Sequence, residues 1–420
     1  MTETHASPRA ESASPGSADT AAGRPLEGRA LRLVMALLAF AAGASVANLY
    51  YAQPLLTLIR HEFAISSGTA ALVVTLTQVG YALGLALLLP LGDLIENRKL
   101  AYRTLLVTAV ALAVTAASPG FGVFLVATAL VGVTSVVAQV LIPFAAHLAP
   151  AESRGKYVGQ VSGGLVLGIM LARSVSSIVA AAWGWRTIYA ISAVVMIATA
   201  ILLARLLPRR TPAHAASYPR LVASTIAIAR AEPILVRRAA GQTLMFAAFT
   251  AYWTAITFEL VGQHHLSQAQ IALFALVGAA GAAASPVAGR FGDRGFGVRG
   301  RALAVVLGVT AAILAGLGSS SVILLALAAV LLDFAVQSNQ VLSVRDVYGL
   351  RPEARARMNS VYMTSVFAGG AVSSALTGAV YQHWGWPGAC WLALVMEVGV
   401  GLVFLWDRLA SRVPAPAAAA

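Results

Sequence analysis

Long apolar runs alternate with short polar, mostly basic segments over nearly the whole chain. A helix needs about 20 mostly apolar residues to cross a hydrocarbon core about 30 Å thick. The runs that are long enough lie at residues 31–58, 68–91, 102–118, 120–148, 157–182, 187–207, 238–261, 267–289, 301–318, 321–349, 358–382 and 388–406. The pattern therefore predicts an all-α membrane protein with twelve transmembrane helices.

A longer polar segment at residues 208–236 separates these runs into two groups of six. It holds four prolines and several arginines, as a linker between domains often does. The first 28 residues are rich in Ser, Ala, Pro and Glu and lack the apolar stretch of a signal peptide. We therefore expect a disordered cytoplasmic tail at 1–28, six-helix bundles at 29–207 and 237–407, a cytoplasmic linker at 208–236 and a second cytoplasmic tail at 408–420.

The two groups of runs repeat each other at a nearly fixed offset. Trp-Gly-Trp occurs at residues 183–185 and again at 384–386, and Arg154 and Arg355 are likewise 201 residues apart. Membrane transporters built from two similar halves usually place their site between the halves, and movement of the halves exposes it to each side in turn. The repeat therefore predicts a transporter built from two pseudo-symmetric bundles.

Composition and the positions of the charges support a membrane protein and exclude nucleic acid as a partner. Hydrophobic residues make up 59% of the chain and charged residues 11%, against about 25% charged residues in soluble domains. With both termini in the cytoplasm, 26 of the 29 lysines and arginines fall on the cytoplasmic side, and the opposite side keeps only Arg60 and Arg186. Membrane proteins concentrate basic residues in their cytoplasmic loops. The net charge of +13 is therefore explained by the orientation of the chain in a membrane, and the surrounding partner is lipid.

We expect no cofactor, no metal and no enzymatic activity. Cys390 is the only cysteine, so the chain has neither a disulfide nor a thiolate metal site. Residues 295–300 imitate a dinucleotide-binding glycine motif, but they lie in a short loop between two spans and lack the strand and helix that the motif needs. The spans show no nucleophile–base pair and no metal cluster, which argues against a membrane enzyme.

A loop motif follows the second span of each half. The second-half copy reads Gly-Arg-Phe-Gly-Asp-Arg-Gly at residues 289–295, and the first-half copy reads Gly-Asp-Leu-Ile-Glu-Asn-Arg-Lys at residues 92–99. Together with the twelve spans and the basic linker, these motifs resemble the major facilitator superfamily over residues 30–407. The resemblance implies two six-helix bundles around a central cavity, a small-molecule substrate and a monomer.

The same motifs predict a gate on the cytoplasmic side. An aspartate at a helix end can accept hydrogen bonds from the N-terminus of a neighbouring helix and pair with arginine. The residues expected to form this gate are Asp93, Arg98 and Lys99 in the first half and Gly289, Asp293 and Arg294 in the second. A solvated turn that only carries orienting charge is the alternative.

Two further runs resemble a narrower group within the superfamily. Residues 48–56, Asn-Leu-Tyr-Tyr-Ala-Gln-Pro-Leu-Leu, and the glycine-rich run 164–173 are similar to runs in proton-coupled exporters of arabinose, purine nucleosides and chloramphenicol-type drugs. The resemblance implies efflux of a small organic solute or drug by an antiporter of a bacterial inner membrane. Two features depart from that group, since Gly168 is followed by isoleucine instead of proline and no arginine lies between Ala127 and Leu148. Proton-coupled import of a nutrient and a transporter-like sensor are the alternatives.

Two charges lie deep inside the spans. At 1.5 Å per residue, Arg173 is about 24 Å along the fifth span from its cytoplasmic end, and Asp333 is about 18 Å along the tenth span from the opposite side. A charge at the centre of a helix costs about 2.5–3.5 kcal/mol on insertion, so it tends to have a partner or a function. We expect Asp333 to carry protons and Arg173 to be its electrostatic partner or a clamp on the substrate, with a structural ion pair as the alternative. Glu259, near a span end, and Glu397, on a usually peripheral helix, rank below Asp333.

Three amides lie in the fourth and tenth spans. Gln139 and Gln340 are repeat counterparts at the 201-residue offset, and Gln337 lies on the same span as Gln340. Amides in lipid need hydrogen-bond partners, so these side chains should face the central cavity. They suit a polar, neutral substrate, and hydrogen bonding between helices is the alternative.

Aromatic and polar side chains of two further spans complete the candidate site. In the family that the chain resembles, the first, fourth, seventh and tenth helices line the cavity. The candidates on the first are Asn48, Tyr50, Tyr51 and Gln53, and those on the seventh are Gln242, Tyr252, Trp253 and Glu259. Aromatic rings with polar tips can stack on flat substrates and orient them. A position at the membrane interface is the alternative for Tyr50 and Tyr51.

Overall fold

The computed structural model describes residues 28–208, 217–351 and 354–410. Within these ranges the chain forms α-helices joined by turns and four 3₁₀ segments, and no β-strand occurs there. The helices are α1 (Gly28–Ala47), α2 (Leu56–Glu62), α3 (Ser67–Leu87), α4 (Asn97–Ala117), α5 (Phe121–Thr134), α6 (Val137–Leu148), α7 (Arg154–Trp183), α8 (Arg186–Leu206), α9 (Tyr218–Ala231), α10 (Pro233–Gly262), α11 (Gln268–Leu276), α12 (Ala284–Asp293), α13 (Gly297–Leu317), α14 (Val322–Leu350) and α15 (Arg355–Ala410). The 3₁₀ segments are Gln53–Leu55, Leu89–Asp93, Ala151–Ser153 and Val277–Ala283. Most of both predicted tails lies outside the described residues.

The described helices account for twelve membrane crossings. Eleven helical segments are long and apolar enough to span a membrane, and one of them, α15, is 56 residues long. At a rise of 1.5 Å per residue its length is about 84 Å, far more than a hydrocarbon core of about 30 Å. Gly385 has non-helical backbone angles and divides α15 into two crossings. The prediction of an all-α membrane fold with twelve spans is therefore confirmed.

The repeated Trp-Gly-Trp sequence forms the turn between the last two spans of each half. Gly184 has a φ of 87° and Gly385 a φ of 60°, both in the left-handed region that favours glycine. In each copy the tryptophan after the glycine is buried, and the one before it is exposed, 69% at Trp183 and 68% at Trp384. The repeat therefore marks one kind of turn that the chain uses twice.

Alanine at Gly385 should lower the stability of the folded protein. The glycine combines a φ of 60° with a ψ of −153°, a region that is almost restricted to glycine, so we expect a cost of about 1–3 kcal/mol. The measurement is the midpoint of thermal unfolding of the purified protein in detergent. Gly122→Ala is the control, because an added Cβ there meets no atom within 4 Å. Equal midpoints for the two variants would contradict the expected strain.

Turns at residues 135–136 divide the fourth span into α5 and α6, and the first and eighth spans are also broken helices, although the sequence shows unbroken apolar runs there. In the first span α1 ends at Ala47, and residues 48–52 form turns before the segment Gln53–Leu55 and α2. Pro54 contributes to this break because it has no amide hydrogen for the helical ladder. In the eighth span the segment Val277–Ala283 separates α11 from α12. Irregular backbone at membrane depth persists only where protein or a cavity surrounds it, so both breaks point to the interior of the molecule.

The predicted linker contains a helix of its own. It is α9, at Tyr218–Ala231. The Tyr218 hydroxyl donates a hydrogen bond to the Leu87 carbonyl oxygen of the first half at 2.9 Å. Arg357 of the second half donates to Ser224 Oγ at 3.2 Å. The linker therefore contacts both halves on the side of the termini.

The two halves pack together along α3 and the first part of α15. Ser374 Oγ donates a hydrogen bond to the Ala71 carbonyl oxygen at 3.2 Å, and Ser360 Oγ donates to that of Leu85 at 3.0 Å. The two acceptors are 14 residues apart on α3, or about 21 Å along its axis. The contact between the halves therefore follows most of the length of α3.

The interface between the halves is closed on the side away from the termini. There Gln268 Nε2 on α11 donates hydrogen bonds to the Pro54 carbonyl oxygen and to Ser177 Oγ, both at 3.0 Å. On α7, most residues from Met170 to Ala180 are buried, whereas most residues from 154 to 169 are at least partly exposed. The interface beside α7 is therefore tight at the far end and looser towards the termini.

Candidate functional site

Arg173 and Asp333 face each other between the two halves. Arg173 lies on α7 and Asp333 on α14, and their Nη2 and Oδ2 atoms are 3.7 Å apart. Both side chains are buried. A buried charge is costly unless it is paired, so the opposite charge on the other half offsets the cost of burying each of these groups. The structure brings together the two charges that the sequence singles out.

Trp253 on α10 contacts both members of the pair. Its Nε1 donates a hydrogen bond to Asp333 Oδ1 at 3.0 Å, and Arg173 Cζ lies 3.8 Å from the centroid of its ring. A guanidinium group over an indole face gains about 0.5–2 kcal/mol. Trp253 therefore helps to fix the positions of both charges.

The break in the first span supplies the next contact. Gln53, in the 3₁₀ segment that follows the break, accepts a hydrogen bond from Arg173 Nη1 at 3.3 Å. The ring centroids of Phe249 and Tyr50 lie 5.3 and 5.8 Å from Arg173 Cζ. Phe249 is not predicted from the sequence, although it precedes Trp253 by four residues and so shares its helix face.

The 3₁₀ segment of the eighth span lets its backbone approach the pair. A Cβ atom on Gly278 would lie 2.6 Å from Asp333 Oδ2 and 3.2 Å from Arg173 Nη2. A Cβ atom on Gly281 would lie 2.7 Å from Asp333 Cβ. Only glycine permits so close an approach of the backbone. Neither glycine is predicted from the sequence, and the signal that could have revealed them is a pair of glycines within an apolar run.

Several polar atoms of this cluster have no hydrogen-bond partner within the described ranges. They are Arg173 Nε and Nη2, Asp333 Oδ2 and Gln53 Nε2. Buried polar groups in folded proteins nearly always have a partner in the protein, in water or in a ligand. The cluster therefore has unused hydrogen-bonding capacity at the place where the halves meet.

The predicted amides form hydrogen bonds between helices. Gln139 Oε1 on α6 accepts from Asn359 Nδ2 on α15 at 3.3 Å, and Gln340 Oε1 accepts from the Tyr362 hydroxyl at 3.2 Å. Gln337 Nε2 donates to a serine on α12 at 3.0 Å. These contacts agree with the interhelical role that the sequence left open beside substrate binding.

Asn48, Tyr51 and Tyr252 contact other helices of their own halves. Asn48 Oδ1 accepts a hydrogen bond from a serine on α8 at 2.6 Å, and the Tyr51 ring packs edge-on against a tyrosine ring on α8 at 6.5 Å. The Tyr252 hydroxyl donates to a backbone carbonyl of α14 at 2.6 Å. These bonds brace each bundle, whereas Trp253 reaches Arg173 and Asp333 directly.

The predicted gate residues of the first half also contact their own half. Arg98 donates hydrogen bonds to the carbonyl oxygens of Ala204 and Leu207 at the end of α8, at 3.3 and 3.2 Å. Arg98 and Lys99 both pair with Glu96, at 3.1 and 3.3 Å. The basic residues therefore tie the loop after the second span to the sixth span.

The second-half copy of the motif is more exposed. Asp293 pairs with Arg345 on α14 at 2.9 Å, and its side chain is 78% exposed. Arg294 is exposed, and a Cβ atom on Gly289 would meet no atom within 4 Å. Asp93 ends the segment Leu89–Asp93, and its side chain lies outside the described part of the structure. A gate between the halves stays a prediction.

Comparison with known proteins places this architecture in a family. The sequence model of the Major Facilitator Superfamily matches residues 35–238 and 238–420. A protein of Escherichia coli (strain K12) named as a transporter, YgaY, is 38% identical over 374 residues, which cover 89% of this chain and 95% of that protein. A Streptomyces coelicolor protein also named as a transporter, SCO4007, is 33% identical, with 96% of this chain and 93% of that protein covered.

A solved structure supports the same fold. The crystal structure of a bacterial homologue of the human lysosomal transporter Spinster, in an inward-facing and unoccupied conformation, matches with a TM-score of 0.71. The match covers 93% of this chain and 100% of that chain at 14% identity. Two repeated six-span halves, the family model and the relatives named as transporters together identify a multi-pass membrane transporter. The chain belongs to the major facilitator superfamily.

Proposed function

We propose that the protein moves a small organic solute across the membrane by alternating access, with Asp333 as the proton-carrying group and Arg173 as its electrostatic partner. The observation that carries this proposal is the buried contact of these two side chains across the two halves. Ionisable residues inside a membrane bundle are rare and commonly mark solute paths or proton relays. Solute, protons and lipids are the partners of this proposed monomer.

The pair offers a way to link protonation with movement of the halves. While both groups are charged, their attraction draws α7 towards α14. A proton on Asp333 removes this attraction and leaves the Arg173 charge buried without a partner, which favours a new ligand or a new arrangement of the halves. The looser packing of α7 towards the termini suggests access to the site from that side, which we take as the cytoplasm.

The direction that we propose is export in exchange for protons, across the inner membrane of a bacterium. It is supported by the resemblance of residues 48–56 and 164–173 to proton-coupled exporters. The orientation with both termini in the cytoplasm is supported by the concentration of basic residues on one side of the spans.

Movement of solute and proton in the same direction is the second candidate, and it includes proton-coupled import of a nutrient. It is favoured by the charge balance of the site. Arg173 and Asp333 together carry no net charge, and a proton on Asp333 leaves an arginine that an electron-rich solute can satisfy. Proton and solute could then occupy the site together.

The test compares wild type with Asp333→Asn in inside-out vesicles that have an acidic lumen and contain a pH-sensitive dye. Nucleosides, sugars, organic acids and antibiotics are added one at a time. We expect one class to change the luminal pH in wild type, and Asp333→Asn to lose most of this signal because an amide does not titrate. A more alkaline lumen would indicate exchange, and a more acidic lumen would indicate movement in the same direction.

Glu397→Gln is the matched control for this experiment. Glu397, on the second part of α15, is also a fully buried carboxyl group, but neither of its oxygens has a hydrogen-bond partner among the residues described. It should keep the wild-type signal. Equal signals in wild type and Asp333→Asn, or a loss confined to Glu397→Gln, would remove Asp333 as the proton carrier. Binding of a compound without any movement of protons or solute would favour a sensor.

A further inference from the structure

Arg173 presents one edge of its guanidinium group without a hydrogen bond. Its Nη1 donates to Gln53, whereas its Nε and Nη2 find no partner in the described part of the chain. Asp333 Oδ2 lies 3.7 Å from Nη2, which is beyond hydrogen-bond distance. Two parallel N–H groups on one side of arginine match the two oxygens of a carboxylate. This edge therefore offers the pair of donors that a carboxylate can bind.

The unpartnered atoms of the cluster are mostly donors. Arg173 Nε and Nη2 and Gln53 Nε2 donate, and Asp333 Oδ2 is the unpartnered acceptor beside them. A ligand that brings oxygen acceptors would satisfy more of these atoms than an amine would, because an ammonium group offers only donors. The hydrogen-bonding pattern therefore favours an anion.

Three aromatic rings surround the same guanidinium group. The centroids of Trp253, Phe249 and Tyr50 lie 3.8, 5.3 and 5.8 Å from Arg173 Cζ. Such rings offer apolar faces and edges to a flat ligand. An aromatic acid would match both the free edge of Arg173 and the rings beside it.

We propose that the solute is a small aromatic carboxylic acid whose carboxylate binds the Nε–Nη2 edge of Arg173, and that Asp333 takes up a proton as the acid anion binds. This inference rests on the proposed transport function of the same site. It implies that the acid and the proton move together in one direction, so it rests on the second candidate of the proposed function and excludes exchange of this acid for protons.

Charge balance is the reason for the proton. Arg173 and Asp333 are both buried and together carry no net charge, so an added carboxylate would leave one negative charge uncompensated. Such a charge is strongly unfavourable in a poorly solvated site, and a proton on Asp333 restores neutrality. Among the residues that the structure describes, the other ionisable groups that face Asp333 are Tyr50, in the break of the first span, and Tyr252 on α10. Both are neutral hydroxyls and supply no compensating charge.

The test measures ligand binding to the purified full-length protein in detergent by calorimetry. Three probes share one ring and differ in charge, namely benzoate, benzamide and benzylamine. We expect benzoate to bind at least about tenfold more tightly than benzamide, because the fork of Arg173 favours a charged acceptor. Benzylamine should bind no better than benzamide. Binding of benzoate should also remove about one proton per bound molecule from a weakly buffered solution, because the charge balance requires Asp333 to become protonated.

Variants separate the two parts of the site. Arg173→Lys keeps a positive charge beside Asp333 but loses the fork, so it should bind benzoate at least about tenfold more weakly. Asp333→Asn should still bind benzoate and take up no proton. Arg301→Lys should behave as wild type. It is the matched control because Arg301 is also buried and pairs with an aspartate, Asp346.

Equal affinities for benzoate and benzamide, or wild-type affinity in Arg173→Lys, would overturn the inference, and so would benzoate binding without proton uptake. Transport measurements in liposomes then distinguish the failure of this inference from the failure of the proposed function. If benzoate binds with proton uptake but no solute crosses the membrane, the ligand class stands and the transport proposal fails. If a neutral solute moves with protons and benzoate does not bind, the transport proposal stands and the ligand class fails.

Discussion

Alanine at Gly168 should leave little correctly folded protein. The helices α1 and α7 cross with their backbones in direct contact. A Cβ atom on Gly168 would overlap the backbone of Gly43, and one on Gly164 would come within 2.9 Å of Ala39 Cα. Backbone cannot swing aside as the end of a side chain can, so the cost of overpacking should reach about 3 kcal/mol or more. That is a large share of the stability of an ordinary fold.

The measurement is the yield of monodisperse protein after solubilisation, together with its unfolding temperature. Gly163→Ala is the matched control, because it lies on the same helix and an added Cβ there meets no atom within 4 Å. The control should remain close to wild type in both properties. If Gly168→Ala is as abundant and as stable as Gly163→Ala, then α1 and α7 do not cross as closely as the structure has them.

Alanine at Gly278 should preserve the fold and reduce transport by about a hundredfold. The new carbon would lie 2.6 Å from Asp333 Oδ2 and 3.0 Å from Trp253 Cζ2, and both of these atoms belong to side chains that can shift. Shifting them displaces Asp333 from Trp253 and Arg173. Overpacking of this kind costs about 1–3 kcal/mol, and about 1.4 kcal/mol corresponds to a factor of ten.

The measurement is the initial rate of the proposed proton-coupled solute movement in liposomes that contain equal amounts of folded protein. Gly262→Ala, at the end of α10, is the control because its added Cβ has no neighbour within 4 Å. A wild-type rate for Gly278→Ala would mean that the eighth span does not position Asp333. A loss of folded protein equal to that of Gly168→Ala would mean that the segment supports the fold more than the site.

The fold and the two central charges follow from the sequence because lipid imposes simple requirements. A crossing needs about 20 apolar residues, so the spans can be counted from the runs alone. A charge inside such a run is costly, so Arg173 and Asp333 stand out without any knowledge of their distance. Their positions on the fifth and tenth spans also placed them in different halves. Their contact agrees with that expectation.

The remainder of the site depends on tertiary structure. Gln53 reaches Arg173 because α1 stops at Ala47, and an apolar run does not reveal where a helix breaks. The importance of Gly278 lies in the atoms that an added Cβ would meet, which are on α7, α10 and α14. Gln139 finds its partner on α15, which is far away in sequence. A pattern of residue types identifies polar side chains, but it does not tell which of them meet.

The exposed tryptophans before the two turn glycines, Trp183 and Trp384, occupy equivalent places in the two halves. Indole rings settle at the boundary between lipid headgroups and hydrocarbon. Because each bundle has one such ring at the same face, the rings hold both bundles at the same depth in the bilayer. The proposed cycle, which opens one face and closes the other, would then proceed as a tilt of the bundles about these rings, with no piston-like slide. The surrounding bilayer would not have to thicken or thin at each turnover.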